Sequence, residues 1–260
     1  MKKNKTKFLE NFYRLENKKI IITGCSGQLG SCLVDTFLKF GCTIIGLDID
    51  KPKKKIKGNF FFYQLDVSDF KENNLTFSKI FKKFKKIDSL INNAGVAVFK
   101  PFTKRSEEDL DWVTNINLKS YFYSINNFYK FSDKKTNKSI INISSIYSIV
   151  SPDPRIYSKN DRKSSEIYGA TKAGVNQMTR YFAIHLSDKN IRVNTVSPGG
   201  IYNSKSPQNK TFIKKYSYRN PLKRMAKTEE IAGAVIYLTS NSSTYTNGHN
   251  LVVDGGMSSW

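Results

Sequence analysis

Short apolar runs alternate with longer amphipathic stretches along most of this 260-residue chain. The short runs are rich in β-branched residues, which is typical of strands buried on both faces of a parallel sheet, and the longer stretches have helical spacing. The pattern therefore predicts an α/β fold, a doubly wound parallel sheet with helices on both faces. The predicted strands are 19–23, 43–47, 139–143 and 191–196, and the predicted helices are 31–40, 118–131 and 173–186.

The first predicted strand ends in a glycine-rich turn that runs straight into a predicted helix. Its sequence is Thr23-Gly24-Cys25-Ser26-Gly27-Gln28-Leu29-Gly30. Glycines let the backbone approach a pyrophosphate closely, and a helix N-terminus supplies free N–H groups and the positive end of its dipole. Asp48 ends the second predicted strand, near the ~20-residue offset at which an acid bonds the ribose of NAD. Since a carboxylate there repels a 2′-phosphate, we expect NAD as the cofactor, with NADP less favoured.

One of the fourteen tyrosines, Tyr168, is followed four residues later by a lysine, Lys172. On a helix these two positions share one face, about 5–6 Å apart at Cβ. A lysine ammonium beside a phenol stabilises the phenolate, and such a pair is a general acid/base suited to interconverting a carbonyl and an alcohol. On spacing alone, an ordinary exposed pair on an amphipathic helix is the alternative, and the accompanying motifs decide between the two.

Further motifs occur in an order that resembles the short-chain dehydrogenase/reductase family, from about residue 17 to the C-terminus. Each motif is short, and the specificity lies in their order and separation. The resemblance implies a Rossmann fold and a nicotinamide cofactor. After the glycine turn, the motifs are Asp66-Val67, Asn92-Asn93-Ala94-Gly95, Asn117, Ser144-Ser145, Tyr168 with Lys172, Ser197-Pro198-Gly199 and Val253-Asp254-Gly255-Gly256.

The resemblance also implies a role for each matching residue. Tyr168 would be the acid/base, Lys172 would lower its pKa and bond the nicotinamide ribose, and Ser145 would hold the substrate oxygen. Asn117 would place a water in a proton relay to Lys172. The implied cofactor contacts are Gly24, Ser26, Gly27, Gln28, Leu29, Gly30, Asp48, Asp66, Val67, Asn93, Ala94, Gly95, Tyr168, Lys172, Pro198, Gly199 and Ile201. Without the motif order, a strand-end cap would be the simpler interpretation of Ser145, and a turn or helix amide that of Asn117.

The glycine turn departs from the usual spacing of the single-domain form of the family. That form has Thr-Gly-x-x-x-Gly-x-Gly, whereas this chain has Gly27 in the middle, followed by Gln28. The spacing resembles that of the larger family branch that modifies sugar nucleotides, although the length of the chain matches the small form. We expect cofactor binding to be retained.

A second departure lies between Ser145 and Tyr168, which are farther apart than in typical members of the family. The extra segment, about 151–165, is polar and contains two prolines. Because Ser145 and Tyr168 must still meet, we expect the insertion to lie beside the active site, where loops often determine specificity. A surface insertion without a functional role is the alternative.

The formal net charge of +22 raises the question of nucleic-acid binding. Only eight of the 43 basic residues are arginine, the residue favoured in phosphate and base recognition, and we expect no nucleic-acid partner. Basic residues around the cleft would instead attract an anionic substrate, with a uniformly lysine-rich surface as the alternative. They are Arg155, Lys159, Arg162 and Lys163 in the insertion, and Lys205, Lys210, Lys214, Lys215 and Arg219 after Pro198-Gly199.

Two segments resemble the bacterial flagellin-modification oxidoreductases, which are associated with nonulosonic sugars of surface glycans. They are Ser144 to Asp153 with the insertion, and Ser197 to Asn203. The sequence thus favours an NAD-dependent oxidoreductase that interconverts a secondary alcohol and a ketone on a sugar, sugar-phosphate or nucleotide-sugar derivative. The alternatives are a 3-oxoacyl thioester reductase and a non-catalytic, cofactor-binding regulatory or nucleic-acid-binding protein.

Residues 1–16 are predicted to form a polar extension, and residues 17–260 a single domain with the insertion in it. The extension lacks the apolar core of a signal peptide, and no run approaches eighteen apolar residues, so we expect no membrane span and a cytoplasmic location. Cys25, Cys32 and Cys42 are expected to be reduced thiols, and no metal site is expected because their spacing matches no metal-binding pattern.

Two predicted helices carry more apolar residues than packing on one sheet requires. We therefore expect a homo-oligomer, a tetramer rather than a dimer, with burial in the monomer core as the alternative. The residues are Leu118, Tyr121, Phe122, Ile125, Phe128 and Tyr129 on the first helix, and Val175, Met178, Tyr181, Phe182 and Ile184 on the second.

Overall fold

The computed structural model describes residues 12–157 and 164–260, so the predictions for 1–11 and for Lys159, Arg162 and Lys163 lie outside the described residues. Within these two ranges, seven strands form one parallel sheet, which confirms the predicted fold class. The strands are β1 (Lys19–Thr23), β2 (Thr43–Asp48), β3 (Phe60–Gln64), β4 (Ser89–Asn92), β5 (Lys138–Ile143), β6 (Ile191–Pro198) and β7 (Asn250–Val253). They are ordered β3-β2-β1-β4-β5-β6-β7.

The helices cover both faces of the sheet. They are α1 (Gln28–Lys39), α2 (Phe70–Phe84), α3 (Glu107–Thr114), α4 (Ser120–Phe131), α5 (Glu166–His185), α6 (Lys210–Arg219) and α7 (Thr228–Thr239), and a π-helix (Asn115–Lys119) joins α3 to α4. Because helices cover both faces of the sheet, side chains on both faces of β1 must be apolar, and its consecutive isoleucines pack on opposite faces. Ile21 packs in the cluster with α2, α4 and α5, whereas Ile20 and Ile22 pack in the cluster with α1 and α7.

The strand order places the carboxyl ends of β1 and β4 at the point where the direction of winding reverses. In open α/β sheets, ligands bind in the crevice outside this point. The glycine turn follows β1 and the Asn93-Ala94-Gly95 segment follows β4, so the topology brings these two predicted motifs together. The sequence pattern missed β3, an edge strand whose residues are only partly buried.

A row of buried polar side chains crosses the centre of the sheet. Asn92 Nδ2 donates to Asn142 Oδ1 at 2.9 Å, and Asn142 Nδ2 donates to Thr179 Oγ1 of α5 at 2.9 Å. Thr179 Oγ1 in turn lies 2.7 Å from Thr195 Oγ1 of β6. All four residues are at most 1% exposed, so their polar groups are satisfied by one another rather than by water.

The folded part of the chain begins before residue 17. Leu15, placed by the sequence in the polar extension, is 1% exposed and packs in the core with Leu33 and Phe37 of α1. The Leu15 carbonyl also accepts a hydrogen bond from the Cys42 thiol at 3.2 Å. Across the described ranges, we find no helix with both the length and the apolar composition that a membrane crossing requires.

Candidate active site

The glycine turn has a shape that only glycine permits at two of its positions. Gly24 has φ of +64°, in the left-handed region, and a Cβ added at Gly30 would lie 2.0 Å from the Gly24 carbonyl oxygen. Gly27 begins α1 without a side-chain cap, and the first turn of α1 contains no acidic residue. The positive end of the helix dipole therefore lacks a neutralising partner from α1 itself, as a pyrophosphate site requires.

Hydrogen bonds fix this turn against the end of β4. Thr23 Oγ1 accepts the backbone N–H groups of Asn93 and Ala94 at 3.0 and 3.1 Å. Asn93 Nδ2 donates to the carbonyl oxygens of Thr23 and Gly24, both at 3.0 Å. Asn93 therefore shapes the turn from the neighbouring strand.

Asp48 stands where the sequence predicts a ribose-binding acid, at the end of β2. Its carboxylate accepts the backbone N–H of Ser26 at 2.9 Å and that of Asp50 at 3.1 Å. Ser26 Oγ donates to the Asp50 carbonyl at 2.7 Å, which closes the small network. Lys51 and Lys53 line the same part of the cleft.

A cavity of about 750 Å³ lies over these strand ends, within the range of about 300–1,000 Å³ usual for ligand sites. Every predicted cofactor-binding residue except Gly30 lines it, including Asp66, Val67, Pro198, Gly199 and Ile201. Gly30 lies behind the wall, where it allows α1 to pack against the turn. The glycine turn, the uncapped helix start and the placement of Asp48 together fit a nicotinamide dinucleotide.

Tyr168 and Lys172 lie one turn apart on α5, as their spacing predicts. Ser165 begins the helix, and its Oγ accepts the Tyr168 N–H at 3.2 Å. Lys172 is 3% exposed, and its Nζ donates to the Ile143 carbonyl at 2.8 Å and to the Tyr121 hydroxyl at 3.3 Å. Burial lowers the pKa of Lys172 to about 7.

The pKa of Tyr168 does not follow the expectation that Lys172 lowers it. Burial raises the pKa of Tyr168, and the hydrogen bond with Ser145 offsets this only in part. The Lys172 ammonium lies 5.8 Å from the centre of the Tyr168 ring, and the same burial that raises the pKa of the phenol also disfavours the charged lysine. Burial therefore outweighs the neighbouring groups in setting the direction in which the pKa of Tyr168 is shifted.

Asn117 lies in the π-helix between α3 and α4 and is fully buried. Its side-chain amide forms both hydrogen bonds with Val96, donating to the carbonyl at 2.9 Å and accepting the N–H at 2.8 Å. A methyl group at Gly95 would lie 3.5 Å from both Asn117 Oδ1 and Lys172 Nζ, so the two predicted residues are neighbours. The π-helix fixes the loop after β4 beside the lysine, and the water relay stays a prediction.

Ser145 caps a turn at the end of its strand, and it also lies in the predicted active site. Its Oγ accepts the Tyr147 N–H at 3.1 Å and so caps a short 3-10 helix (Ile146–Ser148). It is also hydrogen-bonded to Tyr168 and lines the cofactor cavity. The cap orients the hydroxyl toward the acid/base.

A second cavity, of about 620 Å³, meets the first at Ser145 and Tyr168. One wall comes from the insertion, through Tyr157 and Ser164, and another from α6, through Phe212 and Tyr216. Gln28 lies at the junction, and its Nε2 donates to the Tyr202 carbonyl at 2.8 Å, joining the glycine turn to the segment after β6. Among the described residues that line this second cavity, none is charged.

The described basic residues that were predicted to surround the cleft do not line the second cavity. Arg155 and Arg219 both pair with Asp153, and the hydrogen bond from Arg155 is the main cause that lowers the pKa of Asp153 to about 2. The lysines of the segment after β6 are exposed and do not line the cavity; they are Lys205, Lys210, Lys214 and Lys215. The cavity is therefore neutral in its described part, with positive charge outside it.

Several residues of the site were missed or assigned elsewhere from the sequence. Tyr121, expected at a subunit interface, is 1% exposed, and its hydroxyl shares the Ile143 carbonyl with Lys172. The other residues of the interface prediction that are buried in the monomer are Ile125, Phe128, Val175 and Phe182. Tyr121 follows Asn117 by four residues, a helical offset that could have indicated its place in the site, but helical spacing gives no sign of the π-helix in which Asn117 lies.

Comparison with known proteins agrees with the family resemblance found in the sequence. The profile of the family described as "Enoyl-(Acyl carrier protein) reductase" matches residues 26–258. The chain is 33% identical over 256 residues to the 3-oxoacyl-[acyl-carrier-protein] reductase FabG of Thermotoga maritima, covering 94% of this chain and 99% of the relative. It is 30% identical to the post-translational flagellin modification protein A of Campylobacter coli, covering 93% and 98%. A short chain dehydrogenase from Leptospira borgpetersenii with bound NAD+ is 36% identical, with a TM-score of 0.86 over 96% of this chain and 95% of that one.

The fold and the paired cavities define a nicotinamide-dependent oxidoreductase, in which Ser145, Tyr168 and Lys172 stand beside a dinucleotide cleft. With its profile match and its relatives, the chain belongs to the short-chain dehydrogenase/reductase family and is an NAD(P)-dependent enzyme.

Proposed function

We propose that the protein interconverts a secondary alcohol and a ketone of a sugar-type substrate, with NAD as the cofactor and Tyr168 as the general acid/base. The observation that carries the proposal is that the two cavities share Ser145 and Tyr168. A carbonyl bound between the cavities would have its oxygen at these two hydroxyls and its carbon toward the cofactor cleft. The nicotinamide supplies or accepts the hydride at that carbon.

The residues of this chain would then stabilise the negative charge on the carbonyl oxygen and transfer a proton to it. In the reduction, Ser145 Oγ and Tyr168 OH donate hydrogen bonds to the oxygen as negative charge develops on it. The raised pKa of Tyr168 keeps its proton available for transfer to that oxygen. Lys172 and Tyr121, both bonded to the Ile143 carbonyl, form the buried side of the site and join α5 and α4, respectively, to the end of β5.

The preference for NAD rests on the Asp48 carboxylate in the cleft. Asp48→Asn keeps a side-chain oxygen for only one of the two bonds, which Ser26 and Asp50 donate to different oxygens of the carboxylate, and it removes the charge that repels a 2′-phosphate. We expect the ratio of NADP to NAD affinity to rise about 10-fold or more, since a like-charge contact near a protein surface costs a few kcal/mol. Titration of both cofactors into the wild type and the variant measures the ratio.

Asp48→Ala is the matched comparison. It also removes both hydrogen bonds of the turn, and we expect it to weaken NAD about 10-fold, since bonds to charged groups contribute about 1.5–3 kcal/mol. A wild-type protein that binds NADP more tightly than NAD would show that Asp48 does not have the proposed role, because Lys51 and Lys53 would then dominate the cleft.

The sugar assignment is supported by the chemistry of the second cavity. Its described lining combines aromatic rings, as in Phe212 and Tyr216, with uncharged polar groups, as in Tyr147, Tyr157 and Gln208. Such a surface suits a polyhydroxylated ring, and the exposed lysines outside it suit a phosphate or nucleotide on the same molecule. We propose a cytoplasmic role in surface-glycan biosynthesis, and the 30% identity to a post-translational flagellin modification protein supports a role in modifying a surface protein.

A second candidate is reduction of a 3-oxoacyl thioester, which the relative from Thermotoga maritima favours. The test is NADH consumption measured against keto sugars, their phosphates and acetoacetyl thioesters in one panel. Turnover of keto sugars well above that of thioesters supports the sugar assignment, and the reverse order establishes the thioester. A nucleic-acid partner is not part of the proposal, because only eight of the 43 basic residues are arginine, the residue favoured in phosphate and base recognition.

We further propose that the enzyme is a homotetramer of 29.7 kDa chains. Of the residues expected at the interface, Phe122, Tyr181 and Ile184 remain 44%, 55% and 72% exposed on neighbouring faces of α4 and α5. We expect Ile184→Glu to dissociate the assembly without unfolding it, because a charge would have to be buried in an apolar contact. Sedimentation velocity at micromolar concentration is the measurement, and Leu75→Glu, at a 58% exposed leucine of α2, is the control. A wild type that sediments only as a monomer would contradict the proposal.

A further inference from the structure

We propose that Tyr157, a residue of the insertion, determines substrate specificity by hydrogen-bonding a neutral hydroxyl of the substrate away from the reacting carbonyl. The inference rests on the proposed function, since it takes the second cavity as the place where the substrate lies. It assigns a role to the insertion and a chemical group to the part of the substrate that contacts it.

The hydroxyls of Tyr157 and Tyr147 form a pair in the wall of the second cavity. Their oxygens lie 3.2 Å apart, and both residues line the cavity. Tyr147 is two residues beyond Ser145, so the pair belongs to the same end of the cavity as the reacting groups. Because one hydroxyl donates to the other, the pair keeps one uncommitted O–H donor and free lone pairs. A substrate hydroxyl can both accept a hydrogen bond from the uncommitted O–H and donate one to a free lone pair.

The surroundings of the pair favour a neutral group over a charged or an apolar one. Burial raises the pKa of Tyr147, so its hydroxyl stays protonated, and no described residue of the cavity wall carries a charge. A carboxylate or phosphate placed here would lose its hydration without gaining a counter-charge. An alkyl chain would leave the uncommitted donor without a partner, which is also unfavourable. The class that fits is a hydroxylated ring or chain that carries the reacting carbonyl.

The insertion holds Tyr157 in place through several contacts with α6. Asp153 caps the turn before Tyr157 and forms an ion pair with Arg219 at 3.3 Å. Lys215 Nζ donates to the Tyr157 carbonyl at 3.3 Å, and the Tyr157 ring lies 5.7 Å from that of Phe212. A hydroxyl can discriminate between substrates only when its position is fixed, and these contacts fix it.

The test compares three ring ketones as probes, with NADH as the reductant: cyclohexanone, 3-hydroxycyclohexanone and 4-hydroxycyclohexanone. We expect the wild type to prefer at least one hydroxylated probe in kcat/KM. Tyr157→Phe should reduce that preference about 5- to 10-fold, the range of one neutral hydrogen bond, and leave cyclohexanone within about 2-fold. Tyr245→Phe, the same change at a fully exposed side chain, should change neither value.

The outcomes separate this inference from the proposed function. Retention of the preference in Tyr157→Phe, or an equal loss for all three probes, overturns the role of Tyr157 while the ketone reductase activity stands. If the wild type reduces none of the probes, the keto-sugar panel alone decides the proposed function. Calorimetric titration of the same probes into the NAD-loaded protein then tests the inference separately. A binding preference for a hydroxylated probe that Tyr157→Phe abolishes supports it, and equal affinities overturn it.

Discussion

Tyr168→Phe is expected to lower kcat by about 10³-fold or more while leaving NAD affinity within a few-fold. The substitution keeps the ring and removes only the hydroxyl that lies at the junction of the two cavities. General acid/base catalysis contributes about 10²–10⁴-fold, and the loss of a hydrogen bond to the developing oxyanion adds to it. Steady-state turnover, with NAD binding followed by fluorescence or calorimetry, separates the two effects.

Tyr245→Phe serves as the control for Tyr168→Phe, because its hydroxyl is fully exposed and lies outside both cavities. Unchanged activity in the control excludes a general effect of losing a tyrosine hydroxyl. Wild-type turnover in Tyr168→Phe would show that another group supplies the proton, and the assignment of the acid/base would be wrong.

Gly30→Ala is expected to abolish measurable cofactor binding and to destabilise the protein by about 3 kcal/mol. The added Cβ would lie 2.0 Å from the Gly24 carbonyl oxygen and 2.9 Å from Cys25 Cα, both backbone atoms that cannot rotate away. Either α1 or the glycine turn must move, and the turn loses the shape that fits a pyrophosphate. Thermal unfolding and NAD titration are the measurements.

Gly233→Ala is the matched control for this change, since a Cβ at Gly233 of α7 would meet nothing within 4 Å. There, alanine should stabilise the helix by about 0.5–1 kcal/mol, because glycine is the poorer helix former. A Gly30→Ala protein with wild-type stability and NAD affinity would contradict the close approach on which the cofactor site depends.

Much of the scaffold and of the reacting set could be predicted from the sequence because both depend on local patterns. β1 and β2 coincide with apolar, β-branched runs, and the Tyr168–Lys172 offset follows directly from helical geometry. The glycines of the turn could also be predicted from a local pattern, because phosphate binding by the turn depends on a backbone shape that glycine allows. These features need no knowledge of distant contacts.

The features that escaped prediction depend on contacts between distant parts of the chain. The hydrogen bond from Gln28 to the Tyr202 carbonyl joins residues 174 positions apart, and no local pattern indicates it. Burial, rather than the neighbouring lysine, governs the pKa of Tyr168, and burial depends on the whole fold. Arg219 could be recognised as basic, but its ion pair with Asp153 depends on the packing of α6 against the insertion.

The polar row through Asn92, Asn142, Thr179 and Thr195 has a consequence for how the strands choose their partners during folding. The strands β1, β2 and β5 all contain adjacent isoleucines, so apolar burial alone would tolerate several mispaired or shifted sheets. A shift of β5 by one residue would turn Asn142 to the opposite face and leave its amide, and that of Asn92, buried without partners. The row thus penalises a shifted pairing of β5 with β4 or β6, and it gives the centre of the sheet a registration that isoleucine burial alone would not specify.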